Sequence, residues 1–426
     1  MANAGIIGFS SYFPSHIESC EEIQKARREQ KKFIDWSTYI SASIKRFGSK
    51  KYHVLYTILP SLCEINEYDI YVDDFNVSVH VVEFPVKRLI KNIYEYKDYN
   101  AIIDLIIRTS INDTIILHTQ NMFSINFANE LLFFFNKLKR AKKRTFIVTQ
   151  QQSYPPFMYY REAIGFVKGI FPGLVGELIF RKQHKYIDGY IVMNKRTYHY
   201  LLNNIGLDPN KVIYQHDGVD YEKVNPNKFN RNNRQLIDKR ECDYKLALVA
   251  HVTSGFGGYT KGVDLLPDII NGLRRLGYRV CMTVIGEILD NELAEKLRKS
   301  GIILTGYLTH EETLRVIASS DLYILPARKK RYYGGITVAV IEAMALNVPV
   351  VSPTLEHVPD ESVIKYLGVK TEWVTRNNLD KFIDAIAHAL DNIDMFRPRD
   401  YSRRFYDIRV MVRNIEKLYD NILSKS

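Results

Sequence analysis

The stretch Gly334-Gly335-Ile336-Thr337-Val338-Ala339-Val340-Ile341-Glu342-Ala343-Met344-Ala345-Leu346-Asn347-Val348-Pro349-Val350-Val351 decides how this chain reads. Two glycines allow a turn that brings backbone close to a ligand. The apolar run after them predicts a helix carrying one carboxylate, Glu342, and Val350-Val351 predicts a short strand fed by that helix. A helix opened in this way aims N–H groups and the positive end of its dipole at an anion, and Glu342 offers two acceptor oxygens to a diol. In isolation the same residues also suit any buried helix leading into any parallel strand.

Working outward, a chain of 426 residues is long enough for two or three domains, and 46% hydrophobic with 25% charged residues is ordinary for a globular protein. Cys20, Cys63, Cys242 and Cys281 lie far apart, with no CxxC pair, so neither a zinc site nor a disulfide framework is expected and a reducing, cytoplasmic setting is the default. The N-terminus lacks a signal pattern, and no uncharged apolar run reaches the roughly 18 residues that span a bilayer. An excess of 59 basic over 48 acidic residues, +11, favours an anionic partner. No helix-turn-helix, finger or aromatic-basic motif accompanies that charge, so nucleic acid is not expected.

Short apolar runs alternate with helices along the chain, as in doubly wound parallel sheets. Strands are predicted at Ala4 to Phe9, Tyr52 to Leu59, Val77 to Phe84, Ile102 to Ile107, Thr114 to His118 and Thr145 to Thr149. His118-Thr119-Gln120-Asn121 and Thr149-Gln150-Gln151-Gln152 would follow strand ends, where such sheets place ligand loops. A polar stretch, Asn225 to Arg240, reads as a linker, and α/β alternation resumes at Leu246. Thr309 with Glu312 forms a capping-box pattern, and the apolar positions of Tyr401 to Ser426 have helical spacing.

The segment His251-Val252-Thr253-Ser254-Gly255-Phe256-Gly257-Gly258-Tyr259-Thr260-Lys261-Gly262 reads as a glycine-rich loop closed by a lysine before a helix. A diphosphate needs that arrangement, because backbone amides and a lysine point charge stabilise its anion as a leaving group departs. Lys261 on a plain solvated loop is the competing reading, and His251 binds phosphate strongly only when protonated. Arg328-Lys329-Lys330-Arg331 is either a solvated charge run or a grip on a phosphate. Lys137 to Arg144, after a helix rich in phenylalanine, caps a buried helix or docks peripherally on anionic lipid.

Taken together, these segments resemble the family 4 glycosyltransferases, retaining nucleotide-sugar enzymes of the GT-B fold. The family signature runs glutamate, seven residues, glutamate, Ala-Met-Ala-x-Gly-x-Pro-Val. Glu342 falls on the second glutamate, which in the family contacts the nucleotide ribose, whereas Gly334 falls where the first should be. His251 stands at a family arginine, Lys261 matches the family lysine, and Gly306-Tyr307-Leu308 matches a loop that touches the base. Gln151 takes the place of a family histidine, and His216-Asp217-Gly218-Val219-Asp220 matches the segment that ends the first domain.

The resemblance implies an α/β, GT-B chain of two Rossmann-like doubly wound domains facing a central cleft. It would comprise an acceptor domain, 1–220, a nucleotide-sugar domain, 221–400, and a C-terminal helix, 401–426, returning to the first. The implied activity is metal-independent transfer of a hexose from a UDP- or GDP-sugar, with retention, to a glycan, lipid-linked or protein-linked acceptor. No cofactor is expected beyond that donor substrate. Donor contacts are expected from His251, Gly257, Gly258, Lys261, Tyr307, Gly334, Gly335, Ile336, Thr337 and Glu342. Lys261, Gln151 and His118 are the catalytic candidates, with a structural histidine as the other reading of His118. A decayed GT-B scaffold that binds nucleotide sugars without turnover is the alternative function.

Overall fold

The computed structural model describes residues 4–9, 19–21, 36–73, 75–90, 93–109, 114–120, 137, 144–151, 155, 157–158, 166–229, 242–329 and 335–424. The loop at 10–17, most of the helix expected from Cys20, the phenylalanine-rich helix with most of its basic cap, the linker core, Gln152 and the run 330–334 with Gly334 lie outside them. The chain divides into two compact units, Met1–Gln215 with Val412–Ser426, and His216–Met411.

In the first unit a nine-stranded sheet is built from β1 (Ala4–Phe9), β2 (Tyr52–Ser61), β3 (Asn66–Val72), β4 (Val77–Ile90), β5 (Ile93–Tyr96), β6 (Thr114–Gln120), β7 (Arg144–Gln151), β8 (Gly189–Val192) and β9 (Val212–Tyr214). Its order is β3-β4-β2-β1-β6-β7-β8-β9, with β5 paired to β4. All pairings are parallel except β3 and β5 against β4. β1 is buried on both faces, the expected state of a central parallel strand. Helices α1 (Trp36–Phe47), α2 (Tyr99–Thr109), α3 (Phe166–Gln183) and α4 (Lys195–His199) connect the strands.

One expectation changes here, and one strand, β3, is present that the sequence reading lacks. Ile102 to Ile107 is part of α2, not a strand. The Asp98 carboxylate accepts from the N–H groups of Asn100 and Ala101, 2.9 and 3.0 Å away, and so caps the helix start. Ile102, Ile103 and Ile106 then fall on one buried helical face, a spacing that outweighs the β-branched composition. β3 is an edge strand whose polar residues alternate with Tyr68, Ile70 and Val72, too polar to read as a sheet element.

The second unit has six strands, β10 (Tyr244–Val249), β11 (Val280–Ile285), β12 (Ile303–Leu304), β13 (Leu322–Ile324), β14 (Val350–Ser352) and β15 (Gly368–Lys370). They are parallel throughout, in the order β12-β11-β10-β13-β14-β15. Between them run α5 (Phe256–Thr260), α6 (Leu266–Arg275), α7 (Asn291–Lys299), α8 (His310–Ala318), α9 (Val338–Ala345), α10 (Ile364–Leu367), α11 (Leu379–Asp391) and α12 (Pro398–Tyr406). α6 buries Leu266, Ile269, Ile270 and Leu273 on one face, each worth about 1.5–3 kcal/mol of transfer free energy. The capping box at the start of α8 forms as the sequence predicts. Two residues past the end of α9, Asn347 adopts φ 61°, a left-handed turn that asparagine tolerates. The last helix, α13 (Ile408–Ser424), packs Leu418 and Ile422 over Gly189 of the first unit's sheet.

The cysteines also depart from expectation. Cys20 is bonded to Cys63 and Cys242 to Cys281, and no cysteine is free. Sequence separations of 43 and 39 conceal the pairs, and for the second pair adjacency comes from the sheet. Cys242 lies two residues before β10, and β11 aligns Cys281 with Lys245.

Candidate functional site

Numbered from β10, the second sheet has strand order 3-2-1-4-5-6, so the connections diverge between β10 and β13. Beyond the C-terminal ends of those strands, a doubly wound sheet opens its ligand crevice. The chain leaving β10 passes Ala250 and exposed His251 and folds into α5, so the expected glycine loop is partly helical. Gly257 is partly buried, and a Cβ there would lie 3.8 Å from the His251 ring. At Gly258 a Cβ would lie 2.0 Å from the Thr253 carbonyl oxygen, which excludes every other residue. Gly262 adopts φ 70°, and a Cβ there would lie 2.3 Å from the Pro326 carbonyl oxygen. The loops from β10 and β13 therefore touch backbone to backbone.

Lys261 sits between these two glycines, at the end of α5. Its ammonium donates to the Val249 carbonyl at the tip of β10, 3.0 Å away. Part of the residue's surface stays exposed, but the ammonium end is enclosed, and desolvation lowers its pKa to about 8. The lysine is therefore mostly charged near neutral pH, at a point where an anion would relieve its desolvation.

Arg328, on the loop after β13, is not part of a solvated charge run. It is 7% exposed, donates to both carboxylate oxygens of Asp264 at 2.6 and 2.8 Å, and donates to the Tyr259 carbonyl at 2.8 Å. Its guanidinium also lies 4.2 Å from the centroid of the Tyr259 ring. This side chain ties the two crevice loops together from behind. Lys329 next to it is exposed.

Glu342 is 6% exposed, two helical positions after Val340 in α9. Its Oε1 lies 2.6 Å from Nε2 of His310, the first residue of α8. Sequence reasoning missed His310; the signal available was its place directly after the Thr309 cap. Gly335 and Ile336 are buried and Thr337 is partly buried as the N-cap of α9, whose first amides have no acceptor within the helix. Tyr307 follows β12, is 80% exposed, and is preceded by Gly306 at φ 72°. Gly286, also missed, leaves β11 at φ 149° so that its N–H reaches the Gly306 carbonyl at 3.2 Å. His251, Gly257, Gly258, Lys261, Tyr307, Gly335, Ile336, Thr337 and Glu342 all follow C-terminal strand ends of this one sheet.

His118 and Gln151 belong to the first unit. β6 continues to Gln120, so His118 lies inside a strand rather than past its end. It is buried, its Nδ1 is 2.7 Å from the Tyr419 hydroxyl, and burial, opposed by a hydrogen bond with Gln150, lowers its pKa to about 4. Gln151 is the last residue of β7, and its side chain lies outside the described residues.

The chain has the GT-B fold, two parallel-dominated α/β sheets, as the superpositions below show. Residues 248–392 match the family model described as Glycosyl transferases group 1. The chain is 20% identical over 386 residues, 85% of its length and 92% of the relative's, to an uncharacterized glycosyltransferase, MJ1069, of Methanocaldococcus jannaschii. Among solved structures, a glycosyltransferase from Rickettsia africae superposes with a TM-score of 0.62 at 14% identity, covering 100% of both chains. Anabaena Alr3699/HepE, solved in complex with UDP, superposes with a TM-score of 0.60 at 11% identity, covering 98% of this chain and 99% of that one.

Proposed function

We propose that the protein is a retaining glycosyltransferase of family 4 that moves a hexose from a UDP- or GDP-sugar, without a metal, onto a glycan, lipid-linked or protein-linked acceptor. The observation that carries the reading is Lys261, enclosed and charged at the switch point of the second sheet. There it faces the diphosphate and stabilises the charge that develops as the sugar leaves. The N-terminus of α9, from Gly335 to Thr337, adds backbone donors. Glu342, oriented by His310, accepts from the ribose hydroxyls, and exposed Tyr307 stacks on the base. Gln151 lies on the acceptor side, and His118 acts through packing. The Anabaena protein's complex with UDP supports a uridine donor.

The test is a panel of UDP- and GDP-sugars scored for binding, hydrolysis and transfer, with the anomeric configuration of the product read by NMR. Absence of binding to every nucleotide would overturn the reading. Binding without turnover, lost in Glu342→Ala, would instead point to the non-catalytic scaffold.

A further inference from the structure

Helix α3 is built inside out. Its buried positions are Gly169, Gly173, Gly176, Phe180 and Gln183, largely small residues, and Phe157 packs directly on Gly173. Four of its large apolar side chains face the other way: Val167 is 79% exposed, Phe171 76%, Leu178 63% and Leu174 50%. At 100° per residue these four fall within one narrow stripe, about 16 Å long from Val167 to Leu178. A contiguous apolar patch of this kind marks a docking surface rather than scattered surface leucines.

The charges beside the stripe say what it meets. Lys168, Arg181 and Lys182 are exposed on the helix, and exposed Lys185 follows it. Burial first, then the charges of Lys185, Arg181 and Lys211, hold the His184 imidazole below its usual pKa, so these cations act on one locality. The one carboxylate of the helix, Glu177, is turned away, paired with Arg181 at 3.1 Å and with the Tyr200 hydroxyl. A second copy of this face would bring like charges together around the apolar stripe, which disfavours a symmetric dimer. An anionic bilayer surface complements both components, because apolar side chains enter the headgroup boundary while lysines meet lipid phosphates.

We propose that α3 is a peripheral membrane-docking helix that lays Val167, Phe171, Leu174 and Leu178 into an anionic lipid surface. No helix among the described residues is long and apolar enough to cross a membrane, so the contact is interfacial. The inference is independent of the transferase reading. Vesicle flotation of the full chain, against phosphatidylcholine alone and against equal parts phosphatidylcholine and phosphatidylglycerol, tests it. Binding is expected on the mixed vesicles, at least about tenfold weaker on the neutral ones, and weakened by salt. The triple variant Phe171→Ser, Leu174→Ser, Leu178→Ser should lose that binding by at least about tenfold with an unchanged thermal midpoint. Phe171→Trp should keep it and show a blue-shifted emission on the mixed vesicles. Failure of the full chain to float with anionic vesicles, full binding by the triple variant, or an unshifted Trp emission would overturn the proposal. So would a solution dimer that the triple variant disperses, which would assign the stripe to a second copy.

Discussion

In the first sheet the strand order reverses between β1 and β6, where Gly8 is aligned with His118, and that histidine is sealed against Tyr419. In the second the order reverses between β10 and β13, and there the chain places Lys261, Arg328 and Asp264. The same winding opens a crevice in both cases, yet among the described residues the enclosed cation, Lys261, lies at the second. Topology decides where a site can be; under the proposed function, the enclosed cation assigns the leaving-group chemistry to the second sheet.

The largest expected effect comes from removing that cation. Lys261→Ala should lower transfer by about 10²–10³, about 3–4 kcal/mol of transition-state stabilisation, and weaken UDP binding in calorimetry. An activity within a few-fold of the parent would break the contrast. Next, Arg328→Ala should cost about 3 kcal/mol in urea unfolding, because Asp264 is left without its bidentate partner. Arg328→Lys should recover part of it, having charge but neither fork nor stacking plane.

A pH series sharpens the comparison further. The folded Lys261 loses its proton near pH 8 and the unfolded lysine near 10.5, so between those values the unfolded chain binds more protons. Stability of the unliganded protein should therefore rise with pH across that window. Affinity for UDP should move the other way, falling about tenfold per pH unit above about 8 as the charge disappears. Lys261→Met, compared with the parent at each pH, should abolish both slopes; slopes that persist in the variant would assign them to another group.

His118→Phe should leave transfer within about threefold while costing about 1–3 kcal/mol of stability, since the Tyr419 hydroxyl loses its buried partner. A loss of turnover as deep as that of Lys261→Ala, with stability intact, would make the first sheet the catalytic one. The smallest effect is expected from His310→Ala, a weakening of UDP binding by about fivefold, or about 1 kcal/mol, as Glu342 loses its orienting partner.

Much of this was legible along the chain. The second unit's strands up to β14, the α8 cap and the glycines from Gly257 to Gly262 follow from apolar runs, a Thr-x-x-Glu spacing and glycine turns, all of which are local signals. The first unit was less readable where local signals conflict. Isoleucines at 102, 103 and 106 suit a strand by composition and a helix by spacing, and only the Asp98 cap settles the matter. Arg328 looked like one cation among several, although its partner Asp264 stands 64 residues earlier.

The sequence by itself determined the alternation of strand and helix and the glycine turns that follow the second unit's strands, because each depends on a few neighbouring positions. Only the tertiary structure decided that Cys242 meets Cys281, that Arg328 is tied to Asp264, that His310 holds Glu342 and that α3 turns its aliphatic side outward. Those are contacts between residues distant in sequence, and strand order and packing, which no local pattern encodes, bring them together.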